Sequence, residues 1–353
     1  MTESLILDPA ALSDDVIVTR PAQPGATVTV QPRASELASD PAAFLGWFDA
    51  HRSALEQLIA RSGPVRLHGF AVTGTQDFSA IACLYDAPRE GYVGGATPRE
   101  QLAERVFEAT NSPAEHRLIV HQEMAYLPRW PRKILFYCAV PSHTGGETIT
   151  ADVRSFDRQV PARFRDAVRN RGVRYIRNFR APGEMPPALA SAHRTWQQAF
   201  YTDDPAVAEA ACTRMGLSWK WLDDGSLSAE YSAPGLATHP LTGETVWFNH
   251  IHSQTMMPES EPTRWDAYAA WYADGRPKGY EVRFGDGGAI PLDDVRHIFG
   301  LLDRMAGGFR WAAGDLLLID NILTFHGRNP YAGERNVQVA LLEEGEQGWQ
   351  PHR

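Results

Sequence analysis

Leu118-Ile119-Val120-His121-Gln122-Glu123 places a short apolar run directly before a histidine and a carboxylate two residues apart. In an extended strand, residues i and i+2 project from the same face, so His121 and Glu123 can reach one point. Two such groups can share a metal ion and leave most of its coordination sphere open. Imidazoles plus one carboxylate, with vacant positions, form the donor set of non-haem Fe(II) oxygenases. Taken alone, such a pair is more often part of a half-exposed strand, so the metal reading needs a third ligand.

That ligand has a candidate near the end of the chain. Gly314-Asp-Leu-Leu-Leu-Ile-Asp-Asn-Ile-Leu-Thr-Phe-His326-Gly-Arg-Asn-Pro330 opens on a turn signal and continues as a buried-strand run. It delivers His326 beside Gly327, where close packing is possible. Arg335 follows, at the head of the strand-like run Asn336-Val-Gln-Val-Ala-Leu341. An oxygenase of this type holds an anionic co-substrate beside its metal, and a guanidinium fork is the natural partner of a carboxylate.

With these residues in this order the chain resembles the TauD/TfdA superfamily of Fe(II)/2-oxoglutarate dioxygenases. Within it, the branch of SyrP-like amino-acid hydroxylases from peptide-antibiotic pathways is the nearer match. The resemblance runs from about Leu67 to Leu341. It rests on His121-Gln-Glu-Met-Ala-Tyr126, Gly145-Gly-Glu-Thr148 with Ala151-Asp152, Trp247-Phe-Asn249, Phe284-Gly-Asp-Gly287 and His326-Gly-Arg-Asn-Pro330 with Gly333-Glu-Arg335. It implies a distorted double-stranded β-helix with His121, Glu123 and His326 as iron ligands. It also implies that Arg335 and Thr148 bind the distal carboxylate of 2-oxoglutarate, with O2 as the second co-substrate. Halogenating relatives lack the carboxylate ligand, so Glu123 favours hydroxylation, while desaturation and cyclisation use the same ligands and stay open. Relatives more often carry aspartate here; glutamate occurs in the branch this chain most resembles.

The whole chain fits a single oxygenase domain over 1–353. Its 353 residues are 43% hydrophobic and 22% charged, enough for a sizeable core. The formal net charge is −9, with no Lys/Arg block, which argues against nucleic acid as a partner. The N-terminal Met1-Thr-Glu-Ser-Leu-Ile-Leu-Asp8 lacks a basic region and a long apolar stretch, so no secretion signal is expected. No apolar run is long enough to span a membrane. Cys83, Cys138 and Cys212 lack metal-ligand spacing and read as free, mostly buried thiols of a cytoplasmic protein.

Many short strands with scattered helices predict a mainly β fold with flanking helices (α+β): a double-stranded β-helix, or jelly-roll, core with a helical insertion or lid. Residues 1–64 would supply an N-terminal segment and flanking helix. Asp40 and Pro41 open that helix near Pro41–Arg61, and Gly63 follows its end. Residues 65–180 would form the first part of the core, 181–232 the insertion, and 233–353 the second part with its helices. Thr27-Val-Thr-Val-Gln31 reads as a short edge strand, Thr245–Asn249 as a strand, and Pro262–Asp274 as an aromatic helix.

A polar amino-acid substrate needs charged and polar partners. Arg99, in the glycine-rich loop Gly91-Tyr-Val-Gly-Gly-Ala-Thr-Pro-Arg99, is one candidate. Asn249, His252 and Arg328 are the others. The substrate is a small molecule, free or tethered to a carrier protein. The acidic net charge and the lack of a concentrated basic patch tilt toward the free form. A homo-oligomer is compatible with the sequence. Two other classes compete: a zinc hydrolase with the same three ligands, which needs no carboxylate clamp, and a non-catalytic jelly-roll binding module, which needs no ligand triad.

Overall fold

The computed structural model describes residues 12, 14–22, 25–88, 100–190 and 193–346. Its central element is the strand Arg129–Val140. The run Ile134-Leu-Phe-Tyr-Cys138 is apolar without alternation because both of its faces are covered. Ile134, Phe136 and Cys138 enter the main core, whereas Leu135 and Tyr137 enter a second core. That second core is filled by the helix Pro41–Ser62, through Phe44, Trp47, Phe48 and Leu55, and by the helix Thr75–Ala82, through Phe78 and Ile81. The first of these helices starts as its sequence predicts. The Asp40 carboxylate accepts the Ala42 N–H at 2.9 Å, with Pro41 in the first turn.

Arg129–Val140 pairs antiparallel with Leu316–Asp320 on one side and Asn336–Glu346 on the other. The resulting eight-stranded sheet continues through Val65–Leu67, Val28–Pro32 and Val16–Thr19 beyond the first, and Val106–Glu108 and Gln101–Ala103 beyond the second. A four-stranded sheet shares the main core with it, in the order Gly307–Phe309, Thr148–Asp152, Thr324–Arg328 and Leu118–His121. Two largely antiparallel sheets around one core are the jelly roll expected from the sequence. A further sheet joins Ser218–Trp221, Leu227–Ala233, Val173–Phe179 and Tyr280–Phe284. Residues 181–232 therefore add strands to the fold as well as the helices Trp196–Phe200 and Pro205–Arg214. Among the described residues no helix is long and apolar enough to cross a membrane.

Three local expectations are corrected. Val28–Pro32 is not an edge strand, because it pairs antiparallel with Val16–Thr19 and parallel with Val65–Leu67; alternation reports which face is buried, not whether both edges are paired. The aromatic helix starts at Trp265, three residues later than Pro262 suggests. The strand Thr245–Trp247 stops short of Asn249, and His250 and His252 lie at the start of the helix Ile251–Gln254. The Asn249 side chain accepts the Ile251 N–H at 3.0 Å and so favours that helix start over a continued strand. Of the three thiols, Cys138 and Cys212 are buried and Cys83 is exposed.

Candidate active site

His326 and His121 are register partners across the antiparallel pair Thr324–Arg328 and Leu118–His121. The two rings lie 4.6 Å apart between centroids. Glu123 Oε2 lies 3.6 Å from His326 Nε2 and 4.0 Å from His121 Nε2. One donor atom from each residue lies within 4.8 Å of the other two. Two imidazoles and a carboxylate at these separations fit one divalent iron, since metal–ligand bonds of about 2.0–2.2 Å place donors some 3–4 Å from one another. The strands approach closely because residue 327 is glycine: a Cβ there would lie 2.4 Å from the Leu118 carbonyl oxygen.

The orientation of each ligand has a local cause. His121 Nδ1 lies 2.8 Å from the Ile119 carbonyl. Donating Nδ1–H to that oxygen leaves the Nε2 lone pair turned toward the centre. His326 Nδ1 is buried and has no hydrogen-bond partner among the described residues. Glu123 is not on the strand at all. The strand ends at His121, and the chain turns through Met124, which takes a left-handed φ of 57°. Strand alternation therefore does not aim the carboxylate. Asn321 holds its backbone instead: the Glu123 N–H donates to Asn321 Oδ1 at 2.6 Å, and Asn321 Nδ2 donates to the Glu123 and Pro131 carbonyls at 2.9 and 2.7 Å. The intervening Gln122 is fully buried and donates to the Trp247 and Ile322 carbonyls at 3.0 and 2.8 Å.

Thr148 and Arg335 stand near the same core. Thr150 is the register partner of His326, and Thr148 is the partner of Arg328, so both threonines share a face of their strand. The buried Thr148 hydroxyl accepts the Trp311 indole N–H at 3.1 Å, which leaves its own proton to be donated. Arg335 Nε donates to the Gly146 carbonyl at 3.1 Å. Gly146 has a φ of +73°, and a Cβ there would meet the Arg335 side chain at 3.1 Å. Burial, and then the neighbouring Arg328, push the Arg335 guanidinium down to about 10. Among the described residues no carboxylate forms an ion pair with it. A desolvated cation without a counterion favours an anionic ligand.

The other candidates are placed differently. Arg99 lies outside the described residues. Asn249 is buried and donates to the Gly235 carbonyl at 2.8 Å. His252 is buried, with Nε2 at 2.7 Å from the Val120 carbonyl. Arg328 is buried and donates to the carbonyls of Ser112, Pro113 and His116 at 3.2, 2.6 and 2.7 Å. These three side chains are engaged with backbone. The sequence reading missed Asn321, Trp311 and Gln122. A buried amide or indole that braces a backbone leaves no pattern in a single sequence.

The chain belongs to the taurine catabolism dioxygenase TauD, TfdA family, which matches residues 28–341. That is a family of dioxygenases using Fe(II), 2-oxoglutarate and O2. It is 31% identical over 293 residues to the dapdiamide synthesis protein DdaC of Enterobacter agglomerans, covering 82% of this chain and 84% of that protein. It is 29% identical, over the same shares, to a clavaminate synthase-like protein of Arabidopsis thaliana. In fold it is similar to PvcB of Pseudomonas aeruginosa, with a TM-score of 0.50, 13% identity, and 94% of this chain and 92% of that one covered. PvcB is described as an Fe, alpha-ketoglutarate dependent oxygenase from an isonitrile synthetic pathway.

Proposed function

We propose that the protein hydroxylates an unactivated C–H bond of an amino acid or amino-acid derivative in natural-product biosynthesis. His121, Glu123 and His326 hold the iron, and Arg335 with Thr148 holds the distal carboxylate of 2-oxoglutarate. The observation that carries this reading is the convergence of three donor atoms within 4.8 Å of one another, beside which stands Arg335, largely desolvated and with no carboxylate ion pair among the described residues. Similarity to a dapdiamide synthesis protein over 82% of the chain supports the biosynthetic setting.

Bound iron, with 2-oxoglutarate and O2, supplies the oxidising equivalents: the substrate C–H becomes C–OH while 2-oxoglutarate becomes succinate and CO2. The chain does the rest. His121, Glu123 and His326 would hold the iron, and three protein donors would leave positions on it free for ligands. Arg335 neutralises the far carboxylate of the co-substrate, and the Thr148 proton is available to the same group. The aromatic and aliphatic core around His326, Phe136 among it at 5.6 Å, keeps water from its protein side.

The test is a screen of free and carrier-loaded amino acids with Fe(II), 2-oxoglutarate and O2, scored by succinate release and product mass. A gain of 16 mass units, about one oxygen atom, on an amino acid is the expected result. His121→Ala and His326→Ala should bind no metal and turn over nothing while keeping the fold. Normal turnover by either variant would sink the ligand assignment. Turnover of carrier-loaded substrates alone would replace the free-substrate preference, and hydrolysis without 2-oxoglutarate would replace the oxygenase reading.

A further inference from the structure

Among the described residues the strand that carries His121 is the last in its sheet: Leu118–His121 pairs with Thr324–Arg328 on one side and has no strand neighbour on the other. An edge strand exposes a row of carbonyl and N–H groups, and inside a core each needs a partner. The Val120 carbonyl and the Gln122 carbonyl, just past the strand's end, flank His121. His252 Nε2 lies 2.7 Å from the Val120 carbonyl, and His250 Nε2 contacts the Gln122 carbonyl. Gln122 reaches back with its own Nε2 to the Trp247 carbonyl at 3.0 Å. The segment Trp247–His252 thus stands where a neighbouring strand would be and binds the edge through side chains.

Both imidazoles are suited to donate. His250 and His252 are buried. The Ser253 hydroxyl lies 3.0 Å from His250 Nδ1 and can donate to it, which leaves the ring proton on Nε2, toward Gln122. His252 Nδ1 has no hydrogen-bond partner among the described residues, so its single proton is best used on Nε2, toward Val120. Each ring therefore turns its Nε2 toward a carbonyl beside His121. Two residues apart on one short segment, the two imidazoles hold the backbone on either side of His121.

We propose that His250 and His252 are positioning residues for the metal centre: two histidines that bind no metal but pin the carbonyls flanking a histidine that does. The proposal rests on the assignment of His121, Glu123 and His326 as ligands. A lost partner of this kind weakens metal binding about ten- to a hundredfold while the ligands themselves remain.

Binding of Co(II) to the purified full chain tests it. Calorimetry gives the affinity, and the visible ligand-field bands report the geometry around the ion. The wild-type chain should bind one Co(II), and His326→Ala should not. Failure of either control removes the ligand assignment, and this proposal with it. Given both controls, His252→Met should bind Co(II) about ten- to a hundredfold more weakly with altered bands. His252→Gln, which keeps a donor for Val120, should recover most of the affinity. Wild-type affinity and bands in a folded His252→Met would overturn the proposal. If His252→Met does not fold, His252→Gln decides alone: wild-type affinity supports the pin, and a tenfold loss with an unchanged Tm overturns it.

Discussion

Asn321 and Glu123 hold each other by a reciprocal pair of hydrogen bonds, the Glu123 N–H to Asn321 Oδ1 at 2.6 Å and Asn321 Nδ2 to the Glu123 carbonyl at 2.9 Å. The pair forms where the strand has just ended and the Glu123 backbone has no ladder partner. Asn321 lies in the short turn between Leu316–Asp320 and Thr324–Arg328. It therefore links Glu123 to the chain that delivers His326.

Asn321→Leu should remove three buried hydrogen bonds, those to the Glu123 N–H and to the Glu123 and Pro131 carbonyls. Each orphaned group costs about 1–3 kcal/mol, so a loss of roughly 3 kcal/mol or more is expected in urea unfolding of the metal-free protein. Metal affinity should fall with it. Wild-type stability would show that these three groups find other partners.

Arg335→Ala should raise the 2-oxoglutarate requirement. A hydrogen bond to a charged group contributes about 1.5–3 kcal/mol, or roughly ten- to a hundredfold in KM. Arg335→Lys should recover only part of this, because an ammonium cannot reproduce the planar fork. The measurement is succinate release against 2-oxoglutarate concentration, and an unchanged KM would place the carboxylate elsewhere.

Trp311→Phe should act on the same substrate more mildly. It removes the indole N–H that engages Thr148 Oγ1 at 3.1 Å and frees the hydroxyl to rotate. A neutral hydrogen bond contributes about 0.5–1.5 kcal/mol, so the KM for 2-oxoglutarate should rise roughly two- to tenfold. The KM for the oxidised substrate should stay constant. A change confined to that second KM would mean that Thr148 faces the other ligand.

The thiols should divide by burial. Cys83 is exposed, whereas burial pushes Cys138 up to about 12 and Cys212 up to about 11. Both raised values lie well above pH 8, so neither buried thiol forms thiolate in the native protein. Iodoacetamide at pH 8 should label one cysteine per native chain and all three after unfolding. Rapid native labelling of Cys138, read by mass spectrometry, would contradict the packing around it.

The three candidate ligands could be picked out because His121 and His326 each end an apolar run, with Glu123 two residues beyond the first. The helix Pro41–Ser62 was legible because capping is local: Asp40, Pro41 and Gly63 act within a few residues. What escaped was long-range. Nothing near Glu123 says that an asparagine from the far end of the chain ends its strand geometry. The strand expected over Thr245–Asn249 gives no hint that Asn249 starts a helix there and turns His250 and His252 onto another segment's backbone. Arg328 looked available beside His326, but its partners at Ser112, Pro113 and His116 come from a loop with no distinguishing pattern.

His121 and His326 face each other across one strand pair, so their meeting depends on the count of residues on both strands. A slip of one residue turns every side chain of a strand to the opposite face. One histidine would then point into the core and the other away, and no three-ligand site would exist. The site is thus a vernier for the alignment of two strands encoded far apart in the chain. Chains that have paired correctly are the ones able to take up metal, and saturation at a hundred times Kd would favour that alignment by about 2.7 kcal/mol.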